Sequence, residues 1–64
     1  MVISQIDAEN AARALGLGKD LSDFQNDKLS YSMFMERITA KRKTGKTVDV
    51  QNANRLEEFV IGQE

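Results

Sequence analysis

The stretch from Ser22 to Lys43 constrains the fold most, because it is long, amphipathic and free of proline and glycine. It contains three of the four aromatic residues of the chain. Apolar side chains recur along it at helical spacing and fall on one stripe, namely Phe24, Tyr31, Phe34, Met35 and Ile38. Such a stripe is typical of the buried face of an amphipathic helix. We therefore predict a long central helix whose stripe faces the core.

Shorter helices are predicted on both sides of this stretch. Ser4 with Asp7, and Ser22 with Gln25, have the spacing of a capping box, in which the first side chain accepts from the backbone three residues later. Asp49 can cap a third helix near the C-terminus. The glycines suited to end these helices are Gly16, Gly45 and Gly62. The predicted helices run from Gln5 to Leu15, from Asp23 to Lys43 and from Val50 to Ile61.

Charged residues agree with this arrangement. Asp23 and Asp27 lie near the start of the middle helix, and its end carries Arg37, Lys41, Arg42 and Lys43, which is the polarity that the helix macrodipole favours. If the middle and last helices pack antiparallel around a turn at Gly45, Arg37 lies at about the height of Glu57 and Glu58. We therefore expect Arg37 to lie close to these glutamates.

The chain has 64 residues, which is enough for one small domain. We expect residues 1–64 to form a single all-α, three-helix domain, with residues 62–64 as a frayed tail. The absence of proline favours this helical interpretation, because no residue forces a break. A second interpretation remains for residues 38–50, whose β-branched side chains and glycine are also compatible with a β-hairpin in an α+β fold.

The chain contains neither cysteine nor histidine. Disulfides and the usual zinc ligands are therefore excluded, and we predict no metal or cofactor site. The serines and Tyr31 have no histidine or placed base to activate them, and the carboxylates occupy capping or surface positions, so we do not expect an enzyme. Neither a signal peptide nor an apolar run of membrane-spanning length is found, which predicts a cytoplasmic location.

The first functional hypothesis rests on apolar residues outside the predicted core stripe. Leu29 and Met33 are four residues apart and would form a second apolar strip on the middle helix. Ile6 and Leu17 fall on a second face of the first helix. With these four residues as candidates, we expect a non-enzymatic protein–protein interaction module of the small regulatory, adaptor or assembly type that bacteria and phages encode. Its partner would be another protein or, as a homodimer, its own copy.

A second hypothesis rests on the basic residues around the predicted turn at residues 41–46. The candidates for binding phosphates or an acidic partner surface are Arg37, Lys41, Arg42, Lys43 and Lys46. Such a cluster could bind nucleic acid, and in this alternative the protein would act as a dimer. The net charge of −1 argues against a general polyanion binder, and no aromatic residue is interleaved with the lysines to stack on bases. We therefore rank nucleic-acid binding below protein binding.

Overall fold

The computed structural model of the protein describes residues 3–63, which form four helices joined by short turns. The helices are α1 (Gln5–Ala14), α2 (Gly18–Gln25), α3 (Tyr31–Thr44) and α4 (Thr47–Gln63). No strand is present in this described range. The all-α fold class is therefore confirmed, whereas the alternative hairpin at residues 38–50 and the predicted number of helices are wrong.

The first helix has the ends that the sequence predicts. The Ser4 Oγ accepts a hydrogen bond from the Asp7 N–H at 3.2 Å. At the other end Gly16 has a φ angle of 74°, and the Leu17 N–H donates to the Ala12 carbonyl at 2.7 Å. This is a Schellman motif, in which glycine takes the left-handed position and the following apolar residue folds back. The helix is confirmed and ends one residue earlier than expected.

The predicted middle helix is interrupted at Asp27. This residue has a φ angle of 61°, in the left-handed region where aspartate is among the few tolerated residues besides glycine. The Lys28 N–H donates to the Asp23 carbonyl at 2.7 Å, and the Asp27 N–H donates to the Phe24 carbonyl at 3.2 Å. Here too the hydrogen bonds form a Schellman motif, with aspartate in the place of glycine. Helix α2 therefore ends at Gln25.

A new helix begins shortly after this break. Ser30 is extended, and its Oγ accepts from the Met33 N–H at 3.2 Å, so it is the N-cap of α3. The prediction of one helix from Asp23 to Lys43 is therefore wrong. The expected capping role of Ser22 is wrong as well, since this residue lies inside α2.

Helix α4 is longer than predicted at both ends. It begins at Thr47, and Asp49 lies in its first turn instead of preceding the helix. From that position the Asp49 Oδ2 accepts the Lys46 N–H at 3.0 Å, so the side chain still satisfies a backbone donor at the helix start. The helix continues to Gln63. Residues 62 and 63 are part of this helix. Fraying of residues 62–64 stays a prediction, and residue 64 lies outside the described range.

Helix α4 makes the largest interfaces of the bundle. It packs extensively against both α1 and α3, whereas the contacts between α1 and α2 and between α2 and α3 are smaller. Within residues 3–63, α1 does not pack on α3, nor does α2 pack on α4. The helices therefore form a ring in chain order that α4 closes onto α1. The longest helix is the last one of the chain, and the prediction that the middle helix is the longest is wrong.

The core between the helices is apolar, and no polar side chain of the described residues is buried. The predicted stripe faces it: Phe34 and Ile38 are fully buried, and the other members pack against the core while remaining partly exposed. The rings of Phe24 and Phe34 lie 5.2 Å apart between centroids and are tilted by 35°. The buried residues are Ala8, Ala11, Ala12, Leu15, Leu17, Leu21, Phe34, Ile38, Ala53, Leu56, Phe59 and Val60.

The alternating directions of the helices create two distinct ends of the bundle. At one end a small depression is lined by Ala14, Lys41 and Asp49, so the C-termini of α1 and α3 lie beside the N-terminus of α4. The α1–α2 connection lies at this end too. We call it the turn end and define it as residues 13–20 and 41–49.

The opposite end contains the longer connection between α2 and α3. There the side chains of Gln5 and Gln25 exchange two hydrogen bonds, at 2.7 and 3.1 Å, which join the start of α1 to the end of α2. Gln63 at the end of α4 lies near Tyr31 at the start of α3. We call this the loop end and define it as residues 3–9, 23–33 and 58–63.

Candidate interaction site at the turn end

Two of the basic candidates are engaged in ion pairs between helices. The Arg37 Nη1 donates to the Asp20 Oδ1 at 2.7 Å, which joins α3 to α2. The Arg42 Nη2 donates to the Glu57 Oε2 across the interface of α3 and α4. The expected proximity of Arg37 to the glutamates of α4 is therefore wrong, and Arg42 occupies that position instead. Both side chains of the latter pair are less than one-third exposed, at 28% and 29%.

The other three basic candidates, Lys41, Lys43 and Lys46, are exposed at the turn end. None of them takes part in an ion pair within residues 3–63. The Lys41 Nζ lies 3.9 Å from the position that a Cβ on Gly16 would occupy. It therefore stands beside the C-terminus of α1, where the helix dipole favours a positive charge.

The fold brings two further cations to the same end, and sequence reasoning missed them. Arg13 lies in the last turn of α1, and Lys19 lies near the start of α2. Both are exposed, and neither belongs to an ion pair among the described residues. We use the name basic site for the five exposed cations of the turn end, which are Arg13, Lys19, Lys41, Lys43 and Lys46.

The acidic residues of the turn end do not neutralise the basic site. Asp20 is paired with Arg37, and Asp49, whose carboxylate accepts the backbone N–H of Lys46, is a single negative charge against five cations. At the loop end the exposed charges are mostly negative, including Asp7, Asp27 and Glu58. The protein is thus electrically polarised along the bundle, although its net charge is only −1.

The apolar candidates are not brought together. Leu17 is 4% exposed and belongs to the core, which removes it from the accessible surface. Leu29 lies in the loop before α3 and packs against the core, so it does not share a helical strip with Met33. Met33 and Ile6 are 47% and 68% exposed, but they lie on α3 and α1, which do not pack on each other in the described part of the chain.

Two other exposed apolar residues were not anticipated. Ile61 lies near the end of α4 and is 53% exposed. Val48 lies in the first turn of α4 and is 58% exposed, so it belongs to the turn end together with the basic site. The shift of the α4 start from the predicted Val50 to Thr47 explains why Val48 was not recognised as a helical surface residue.

The loop end carries an open surface groove. Its lining includes the partly buried side chains of Phe24, Leu29 and Tyr31, the charged side chains of Asp27 and Lys28, and Gln63. We call it the aromatic groove. Its apolar and aromatic groups, with one carboxylate and one ammonium group beside them, differ from the turn end, where the accessible charges are mainly cationic.

No group of three or more acidic side chains in residues 3–63 is arranged to hold a metal ion. Across the same residues, every helix is too short or too polar to cross a membrane. Comparison with known proteins finds no matching family model and no significant match to a curated protein or a solved structure.

Proposed function

We propose that this protein is a small, non-enzymatic interaction module that binds an acidic surface of another protein through the basic site. The observation that carries the proposal is the convergence of exposed cations from three separate segments at one end of the bundle. These segments are the end of α1, the start of α2 and the turn between α3 and α4. Charges gathered in this way attract an oppositely charged partner over longer distances than isolated ion pairs do.

Val48 supplies an apolar contact within this end. It is 58% exposed and stands two residues after Lys46. Protein interfaces commonly combine an apolar centre with a charged rim, and the rim residues fix the orientation and accelerate association. Such an arrangement suits a partner segment that carries carboxylates around one or two apolar side chains.

Two features favour a protein partner over nucleic acid. Arg37 and Arg42, whose guanidinium groups suit bidentate phosphate contacts, are already held by Asp20 and Glu57. No aromatic side chain belongs to the turn end, so bases would find no stacking platform there.

The proposal is tested by charge reversal at the basic site. Lys43→Glu/Lys46→Glu changes two exposed side chains, and Lys28→Glu/Arg55→Glu is a control with the same change in net charge away from the turn end. Each immobilised protein is exposed to native cell extract, and captured proteins are identified by mass spectrometry and then titrated singly. We expect the first variant to bind its partner at least about tenfold more weakly, which corresponds to a loss of ~1.4 kcal/mol in binding free energy. The control variant should retain binding. Equal binding by both variants would contradict the proposal.

A second measurement distinguishes the class of partner. Fluorescence anisotropy is recorded with random-sequence DNA and RNA at several salt concentrations, and the capture is repeated after nuclease treatment. We expect capture to survive nuclease treatment and nucleic-acid binding to be weak. Capture that disappears with nuclease, together with a steep salt dependence of DNA or RNA binding, would replace the protein partner with nucleic acid.

A further inference from the structure

We propose that a second copy of this chain docks head to tail, with its basic site and Val48 against the aromatic groove and the acidic residues of the loop end. The proposal rests on the unequal charge of the two ends and is independent of the identity of any other partner. It concerns a surface, the aromatic groove, that the proposed function above does not use.

The electrostatic argument follows from the positions of the exposed charges. Lys43 and Lys46 lie at the turn end, whereas Asp27 and Glu58 lie at the loop end. A two-fold symmetric pair uses the same surface patch on both copies. Pairing through the turn end would therefore place cations against cations, and pairing through the loop end would place carboxylates against carboxylates. Of the end-to-end arrangements, head-to-tail docking is the one that brings opposite charges together.

The apolar groups of the two ends are also compatible. The aromatic groove exposes parts of Phe24, Leu29 and Tyr31, and Val48 projects from the opposite end with 58% of its surface accessible. A lysine beside Val48 can lay its apolar stem along an aromatic ring while its ammonium group approaches Asp27. The groove and the turn end thus offer matching pairs of apolar and charged groups.

The size of the ends limits the strength of this association. The two shorter extents of the molecule are 23 and 17 Å. An end face of this size is far below the ~800 Å² per partner that stable interfaces bury. We therefore expect a weak, reversible and salt-sensitive association. Because the contact is heterologous, it leaves one free surface at each end and extends into short chains instead of closing as a dimer.

The experiment is sedimentation velocity of the full chain over a range of concentrations at low and high salt. The Debye length is about 30 Å at 0.01 M and about 3 Å at 1 M ionic strength. At about 0.01 M ionic strength we expect the average mass to rise with protein concentration. At about 1 M ionic strength we expect it to stay near the mass of a monomer. A wild-type protein that is monomeric at every concentration in low salt would overturn the proposal.

Two neutralised variants then test the docking geometry. Lys43→Gln/Lys46→Gln removes two of the five cations of the basic site and leaves the loop end intact, and Asp27→Asn/Glu58→Gln removes two carboxylates of the loop end and leaves the basic site intact. Each variant alone should be monomeric at low salt, and an equimolar mixture should form pairs of two chains and nothing larger. Glu36→Gln/Arg55→Gln, which removes one charge of each sign from exposed positions outside both ends, should associate like the wild type. Variants that self-associate as strongly as the wild type would overturn head-to-tail docking.

Discussion

Arg42 reaches across from α3 to α4 and donates through Nη2 to the Oε2 of Glu57, in an interface where both side chains are less than one-third exposed. The Arg42 Nε is buried and has no hydrogen-bond partner among the described residues. Replacing Glu57 by methionine leaves the guanidinium partly buried without its anion. We expect this change to lower the free energy of unfolding by about 1–2 kcal/mol, which urea denaturation measures.

A double-mutant cycle identifies the cause of that loss. In Arg42→Met/Glu57→Met both charges are removed, so we expect the double variant to recover most of the lost stability. Asp20 and Arg37 supply a comparison in which the arginine is more exposed, at 45%, although the aspartate is only 20% exposed. Their coupling energy should be smaller, within about 1 kcal/mol. Equal coupling in both cycles would show that the burial of the Arg42 pair has no energetic consequence.

Glycine is required at position 45 because Asp49 leaves no room there for a side chain. A Cβ at position 45 would stand 2.3 Å from the Asp49 Cβ and 2.8 Å from the Lys41 carbonyl oxygen. The turn between α3 and α4 cannot hold that atom without moving backbone. We expect Gly45→Ala to destabilise the protein by about 1–3 kcal/mol, measured as a lower urea midpoint.

Gly62 provides the control for this substitution. It lies inside α4, and a Cβ there would meet nothing within 4 Å. Gly62→Ala should therefore stabilise the protein, by up to about 1 kcal/mol, because alanine loses less conformational freedom than glycine in a helix. If Gly45→Ala were as stable as Gly62→Ala, the tight packing of the turn would be refuted.

Asp27 holds the left-handed position between α2 and α3, with a φ angle of 61°. Glycine adopts this conformation without steric strain, so Asp27→Gly should raise the free energy of unfolding by about 0.5 kcal/mol. Asp27→Val should lower it by about 1–2 kcal/mol, because a β-branched residue is disfavoured there. Thermal denaturation followed by circular dichroism compares the three proteins. A valine variant as stable as the glycine variant would mean that the loop relaxes to another conformation.

The same residue explains why the number of helices was not predicted correctly. The end of α1 was recognised because Gly16 is the usual residue for a left-handed helix end. At the end of α2 the left-handed position is taken by Asp27. Aspartate is more often a surface or capping residue, so it is a weaker sequence signal for a helix end than glycine. The signals that were present are the pair Asn26–Asp27 and the N-cap at Ser30 three residues before Met33. Helical periodicity alone does not reveal the break, since Phe24 and Phe34 contact each other on either side of it.

The candidate site was predictable only in part, because tertiary packing assembles it. Lys43 and Lys46 are neighbours in sequence, so their cluster was visible from the start. Arg13 and Lys19 join them only because α1 ends, and α2 starts, beside the turn between α3 and α4. Which arginine of α3 meets Glu57 depends on the rotation of α3 about its axis, and local sequence rules do not determine that rotation. Both arginines are held in ion pairs, so neither adds an unpaired cation to the basic site.

The last prediction compares a buried residue with an exposed residue. The sequence places Leu17 and Ile6 on the same second face of the first helix, yet Leu17 is 4% exposed and Ile6 is 68% exposed. Leu17→Ala should cost about 2–5 kcal/mol, which approaches the whole stability of about 3–10 kcal/mol expected for a domain of this size. Ile6→Ala should change stability by no more than about 0.5 kcal/mol. Urea denaturation measures both.

Leu17→Val offers a milder change if the alanine variant does not fold. Its smaller loss of buried volume should still lower the urea midpoint by more than Ile6→Ala does, because Leu17 follows the left-handed Gly16 and packs into the core directly behind it. Equal midpoints for these two variants would mean that the turn after α1 is not anchored by Leu17. The position of Lys19, two residues further on, would then have no fixed relationship to the rest of the basic site.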